Sequence, residues 1–392
     1  MKFYDVIIIG AGAAGLMCAI EAGKRGRKTL IIERSKNIGE KIRISGGGRC
    51  NFVNLNVTSN NFLSKNPHFP ISALKRFTQN DFIKLVQKHN ISYHEKTLGQ
   101  LFCDDSSKQI INMLLKECEE NNVKIITQTK VESLEKKNNY FTVKTNLSEL
   151  QSNSLVIATG GLSIPKMGAT DFGYKIAKQF GLNIINTTPA LVPLTLCEET
   201  LENTKQLSGV SVMADVAIGK RKFHEGLLFT HKGLSGPAIL QISSYLKKGQ
   251  EIIINLTPKT DIFSFLVKQR KEKPKYDIQN LLSTLLPKSL VSYILNKNNI
   301  KGFLADLSNK NFKILADDIN NWKIIPNGTE GFSKAEVTLG GVDTNEISSQ
   351  TFAAKKVENL YFIGEVLDVT GHLGGYNFAW AWSSGFCAGQ FV

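Results

Sequence analysis

The sequence predicts an α/β chain in which one parallel-sheet domain is split by an inserted β-barrel-like domain and a small helical domain. Three observations predict it. A β-branched run at residues 6–9 feeds a glycine turn and then a helix. At residue 190 the texture changes to short β-prone runs, and at 261 to helical periodicity. Near the C-terminus a strand at 360–363 closes in Gly364 and Glu365, the kind of ending the first domain uses. The boundaries expected are 1–189 for the first part of the parallel-sheet domain, 190–260 for the β insert, 261–330 for the helical piece and 331–392 for the return.

Composition sets the outer limits. A chain of 392 residues, 42% hydrophobic with 10 prolines, suits two or three packed domains. Disordered, collagenous and coiled-coil readings fail on composition and periodicity. No apolar run reaches the roughly 18 residues that a membrane helix needs. The start, Met1-Lys2-Phe3-Tyr4-Asp5, does not resemble a signal peptide. A cytoplasmic protein without a membrane partner is therefore expected. The six cysteines are scattered without a CxxC pair and read as free thiols. His89 and His94 lack a partner at ligand spacing, so no metal site is expected.

The first motif runs in order. Residues 6–9 form a buried strand, and Gly10-Ala11-Gly12-Ala13-Ala14-Gly15 follows at once. A helix to about residue 25 comes next, then a second strand at 28–32 ending in Glu33. This is the strand, GxGxxG turn, helix, strand and acid of a dinucleotide site. Gly10 permits the turn, Gly12 admits a pyrophosphate, and Gly15 lets the helix sit close to the sheet. The helix N-terminus favours anions, and Glu33 accepts from the adenosine ribose hydroxyls. Two anions would repel, so Glu33 argues for FAD or NAD rather than NADP; Arg34 lies over the adenine or in solvent.

Two further segments select FAD. Residues 155–161 end in Thr159-Gly160-Gly161, and 360–365 end in Gly364-Glu365. In flavoproteins of the glutathione-reductase type, such stretches bring the chain back beside the cofactor, and the late acid bonds the ribityl chain. A helix opening near Gly375-Tyr376-Asn377 points its N-terminus at the flavin pyrimidine. Ser45-Gly46-Gly47-Gly48-Arg49 reads as a flexible backbone nest for an anion or flavin oxygens, followed by Cys50 and Asn51. The fold class is thus a glutathione-reductase-type Rossmann FAD-binding domain carrying the two inserted pieces.

The run from Gly39 to Asn51, with residues 159–165 and 364–371, resembles the HI0933-like or BaiN-like bacterial flavoprotein family, also labelled aminoacetone oxidase-like. The motifs reach from residue 10 to about 382, essentially the whole chain. The resemblance implies the same split-domain plan. It places residues 45–51 along the FAD, and adds Lys41, Val131 and Asp368 to the residues expected near it. It also implies uridine reduction in large-subunit ribosomal RNA, an activity attached to this family.

For chemistry the flavin carries the hydride, and the protein supplies a proton. Cys50 and His372 are the catalytic candidates. Cys50 reads equally as a buried packing residue; Asp368 and Lys41 read as electrostatic or orienting groups. No GxSxG, HExxH or P-loop is present. A second GxGxxG is missing too, so NAD(P)H as electron donor must bind transiently.

The formal net charge is +14: residues 1–100 and 201–300 carry +10 and +8, and the remaining residues together −4. Lys220-Arg221-Lys222, with His231, are the tentative substrate contacts; the run from Lys268 to Lys275 is a second cluster. Such asymmetry attracts a polyanion, and a solvated lysine-rich surface reads as well. Three functions stand at this point: an FAD-dependent reductase of ribosomal RNA, partnered by that RNA or an assembling large ribosomal subunit; a small-molecule flavoenzyme acting on an activated C=C bond or an amine; and a flavin-containing binding protein without turnover.

Overall fold

The computed structural model describes residues 2–392, and of Asn203 the backbone alone. The chain forms two compact units. One holds the residues up to Thr188 together with Val337–Val392; the other is Pro189–Glu336.

In the first unit the strand Lys2–Ile9 lies between Thr29–Ile32 and Glu149–Ile157, parallel to both. Lys124–Ile126 extends the sheet beyond Thr29–Ile32, and Leu360–Phe362 adds in parallel to residues 155–157. Residues 6–9 are all buried, as a doubly covered parallel strand requires. The strands Tyr140–Thr145 and Val131–Lys137 continue the sheet antiparallel. The parallel strands end together: Gly10 N–H donates to Ile32 O, Ala158 N–H to Ile9 O, and Ile363 N–H to Ile157 O. Their carboxyl ends are where a doubly wound sheet holds its ligand.

The helix Ala13–Lys24 follows the first strand, and the helix Tyr376–Gly389 packs on it. Glycine makes that packing close. A Cβ at Gly385 would lie 2.4 Å from Ala14 O, and one at Gly389 2.8 Å from Cys18 O. Arg25 fastens the end of the second helix, donating to Gly389 O and Val392 O at 2.9 Å each.

The second unit is built on one seven-stranded antiparallel sheet. Its order is Trp322–Ile324, Ile252–Asn255, Ser211–Ile218, Arg221–Thr230, Gly233–Ser235, Leu194–Thr195, Gly328–Thr329. Helices Ile262–Glu272, Ile278–Leu282, Lys288–Lys297 and Asn309–Asn320 share a core with it, in which Phe312, Leu315 and Ile319 join Val216, Ile254 and Trp322.

Two elements differ from the sequence reading. The first of the β-prone runs expected after residue 190 is a strand only at Leu194–Thr195, whereas Ile184–Ala190, before that boundary, is one and pairs with Val337–Val342. The late part of 261–330 is not helical: Trp322–Ile324 and Gly328–Thr329 supply the sheet's two edges. The period-two signal is there, with Trp322 and Ile324 buried around exposed Lys323, but three residues are too few to stand out beside a twelve-residue helix. Among the described residues no helix is long and apolar enough to cross a membrane.

Candidate dinucleotide and active site

The site begins at the turn after the first strand. Gly10 has φ +110°, and a Cβ there would sit 2.4 Å from Ala158 O. One at Gly15 would sit 2.0 Å from Gly10 O, so only glycine lets the helix start this close to the strand end. Gly12 is different. Its φ is an ordinary −86°, and a Cβ would meet nothing within 4 Å. It caps a twelve-residue helix and supplies no side-chain cap, so the amide N–H groups of the first turn gain no partner from it. Ala13 is half-buried and Ala14 buried behind it.

Glu33 braces the turn. Its Oε2 accepts from Ala11 N–H at 2.8 Å and its Oε1 from Ser35 N–H at 2.7 Å. Each oxygen keeps a lone pair for a ribose hydroxyl. Arg34 is exposed. Val131 is buried at the head of its strand, opposite Thr145.

The glycine run takes a defined shape. Residues 40–48 are helical as far as Ile44, and then Gly46, Gly47 and Gly48 all have positive φ. The nest takes a left-handed turn, which three glycines make without steric cost. Gly46 packs against Phe102, while a Cβ at Gly47 or Gly48 would meet nothing within 4 Å. Arg49 is exposed. Ser45 Oγ donates to Ile42 O, and Ser45 O accepts from Cys50 N–H. Cys50 itself has φ +53° and no exposed surface. Burial pushes its thiol well above the usual range, against a smaller lowering by the Ser45 hydroxyl. Asn51 donates to Gln100 Oε1 at 3.1 Å, and its own Oδ1 is buried without a partner among the described residues.

Four distant segments meet at Glu365. Its Oε2 accepts from Lys41 Nζ at 2.7 Å; its Oε1 accepts from Thr338 N–H at 3.0 Å and from Ser163 Oγ at 3.1 Å. Lys41 also reaches Ser163 Oγ at 2.6 Å. Thr338 Oγ1 accepts from the Leu162 and Ser163 amides. Gly161 exists because a Cβ would lie 2.4 Å from Thr338 Oγ1. Gly160 opens towards Glu365, and Thr159 Oγ1 is buried with no partner among the described residues. Gly364 donates to Ser384 Oγ. Ser163 and Thr338 were not singled out as site residues from sequence; a threonine before Gly340-Gly341 was the available signal.

At the C-terminal helix, Gly375 has φ +94° and a Cβ there would strike Val53 C at 2.5 Å. Tyr376 is buried, 6.0 Å edge-on from the His372 ring. Asn377 pins the turn before the helix, accepting from Gly371 N–H and donating to the Gly371 and His372 carbonyls. His372 is half-buried, and its N–H donates to Asn61 O. Asp368 is 2% exposed and accepts from Lys65 N–H at 2.8 Å. Burial raises its carboxyl above the ordinary range, with Asp343 adding to the shift.

Lys220, Arg221, Lys222 and His231 belong to the second unit. Lys222 Nζ sits 2.9 Å from Asp215 Oδ2, and His224 Nδ1 lies 2.6 Å from Oδ1 of the same carboxylate. Arg221 stacks on Tyr245, its guanidinium carbon 5.4 Å from the ring centroid. Lys220 is exposed at the hairpin turn, and His231 is exposed in the next one.

These features fit a dinucleotide. Space opens in front of Gly12, Gly47 and Gly48, and the orphaned Thr159 Oγ1 and Asn51 Oδ1 are polar atoms awaiting a partner. Fold and site together define an FAD-dependent oxidoreductase of the Rossmann type. Residues 4–391 match the family described as HI0933-like protein Rossmann domain, and the chain belongs to that family. It is 53% identical over 392 residues to the ribosomal RNA dihydrouridine synthase of Escherichia coli (strain K12), covering 100% of this chain and 98% of that one. It is 46% identical to the protein of the same name in Haemophilus influenzae, over 99% and 98% of the two chains. It is 28% identical to the 3-dehydro-bile acid delta(4,6)-reductase of Clostridium scindens, over 98% and 97%.

Proposed function

We propose that this protein reduces the C5=C6 bond of a uridine in ribosomal RNA to dihydrouridine. The observation that carries the reading is identity of 53% and 46%, over nearly the full length, to two proteins named for that activity. When bound, the flavin supplies the hydride for C6. The chain's own residues do the rest.

The amides at the start of the helix Ala13–Lys24 hold the pyrophosphate, and the Glu33 oxygens take the ribose hydroxyls. Lys41, Ser163 and Thr338 fix the Glu365 carboxylate so that its remaining lone pair at Oε2 points one way. C5 then needs a proton. Of the two sequence candidates, a ring nitrogen of His372 holds it. His372 is partly open to solvent and its backbone is pinned on both sides, by Asn61 and Asn377. Cys50 is fully buried with a raised thiol pKa, which makes it a poor acid; it locks the glycine turn. Electrons come from NAD(P)H that binds and leaves, in the cytoplasm, where the ribosomal RNA or an assembling large subunit is met.

The test is nucleoside mass spectrometry of ribosomal RNA from a strain lacking the gene. One dihydrouridine should disappear, return with the wild-type gene, return with Cys50→Ala and stay low with His372→Ala. Unchanged dihydrouridine in the deletion strain would reject the reading. The similarity to a delta(4,6)-reductase favours the second reading, a conjugated C=C bond in a small molecule. Turnover of such an enone, with no change in RNA, would establish it.

A further inference from the structure

The second unit carries two dense basic runs, and the structure treats them differently. In the hairpin run Lys222 is paired with Asp215, and the Arg221 guanidinium lies over the Tyr245 ring. In the run from Lys268 to Lys275, Lys268 faces Glu272, and Lys271, Lys273 and Lys275 have no acidic partner among the described residues. There the helix Ile262–Glu272 ends, and residues 274–278 lie alongside 302–305. Ala305 N–H donates to Pro274 O at 2.9 Å, Leu304 N–H to Tyr276 O at 3.0 Å, and Ile278 N–H to Gly302 O at 3.1 Å. Arg270 fastens the same seam, donating to Leu307 O at 2.8 Å and to Asn309 Oδ1 at 2.6 Å.

Two aromatic rings stand in solvent on this seam, Tyr276 at 40% and Phe303 at 52% exposed. Lys273 Nζ lies 5.7 Å from the Tyr276 ring centroid. Lys271, Lys275, Lys301 and Lys310 are exposed, and among the described residues none of them is in an ion pair. Two of the nearby acids are engaged elsewhere, Glu272 with Lys268 and Gln269, and Asp277 as the cap that accepts from Asn280 N–H; Asp306, three residues after Phe303, is exposed and stands against the positive field. Single exposed apolar side chains need no explanation. Two rings on a hydrogen-bonded seam among unpaired cations match what single-stranded nucleic acid binds: π-faces for bases and charge for phosphates. An acidic protein would use the lysines and leave the rings in water.

We infer that this surface grips a single-stranded segment of RNA, with bases stacked on Tyr276 and Phe303 and phosphates on Lys271, Lys275, Lys301 and Lys310. The inference deepens the ribosomal RNA reading and rests on it. It gives the helical piece a role, which is to hold RNA flanking the target.

The test uses the full-length flavin-loaded protein and a labelled mixed-sequence 12-nucleotide RNA, with heparin as a second probe. Binding is followed against salt. Tyr276→Ala with Phe303→Ala should weaken RNA binding about tenfold or more and leave heparin binding unchanged. Lys271→Ala with Lys275→Ala and Lys301→Ala should make the slope of log K against log salt shallower by about 2. Tyr276→Phe with Phe303→Tyr keeps both rings and should bind as the wild type. No RNA binding by the wild type, or wild-type binding by the first two variants, overturns the proposal. Ring removal that weakens heparin and RNA alike does so too. If these residues grip RNA but dihydrouridine is independent of the gene, the functional reading fails and the surface stands. If dihydrouridine depends on the gene but the variants bind normally, the surface fails and the reading stands.

Discussion

Gly12 and Gly15 lie three residues apart on one turn, and the structure separates their roles. A methyl group at Gly15 would sit 2.0 Å from Gly10 O, which is backbone and cannot swing aside. Gly15→Ala therefore overpacks the strand–helix junction, at about 1–3 kcal/mol. With roughly 2–4 °C lost per kcal/mol for a domain of this class, the melting temperature should fall by roughly 2–12 °C. A methyl group at Gly12 meets nothing within 4 Å and the φ of −86° suits any residue. Gly12→Ala costs only the poorer helix cap, about 1 kcal/mol. It does fill the space where a phosphate must approach the amides. Losing one charge-assisted hydrogen bond, about 1.5–3 kcal/mol, weakens FAD binding about 10- to 150-fold. Fluorescence titration with FAD and thermal melts of both variants separate the effects. Wild-type FAD affinity in Gly12→Ala, or a wild-type melting temperature in Gly15→Ala, would refute the reasoning.

Three further outcomes are expected. Cys197 is the one exposed cysteine of the six, with its thiol lowered by Thr200, so a native thiol titration should count one fast group and a denatured one six. Glu117 is 1% exposed. Burial works to raise its carboxyl, but hydrogen bonds to Lys88 and His89 outweigh that and hold it below 4.5. The unfolded chain then binds the extra proton, so this stability is present above pH 4.5 and lost as pH falls through the folded value. Glu117→Gln should cost about 3 kcal/mol at pH 7 and flatten the acid limb of a denaturation series. Lys41→Met and Glu365→Gln should each lower FAD affinity about tenfold, and the double variant should lose clearly less than the sum, since both remove one 2.7 Å pair. Additive losses would show that the two groups act separately.

The sequence made the parts with local rules legible. Gly10, Gly12 and Gly15 follow from one turn, and Glu33 from the length of one strand–helix–strand unit. The knot at Glu365 was half legible. Glu365 and Lys41 stood out as charges, but they are 324 positions apart and nothing local pairs them. Ser163 and Thr338 are common residue types whose roles appear only when the strands align. The acidic partner of Lys222 was hidden for a similar reason: Asp215 reaches it across the antiparallel hairpin, where Ala217 pairs with Lys222 and Asp215 with His224. The shape of the glycine run was also hidden, because Gly46 packs against Phe102 from a different strand. Tyr276 and Phe303, 27 positions apart, reach the same seam only through the hydrogen bonds between 274–278 and 302–305, which set Phe303 opposite Asp277.

The most direct test of the central claim bypasses the electron donor. The purified, flavin-loaded protein is reduced chemically without oxygen and mixed with ribosomal RNA from a strain lacking the gene. Dihydrouridine is then counted by mass spectrometry. One new dihydrouridine per large-subunit RNA should form with matching flavin reoxidation, and be lost in His372→Ala. Reduced flavin that persists beside unmodified RNA, yet reoxidises with a small conjugated enone, would contradict it.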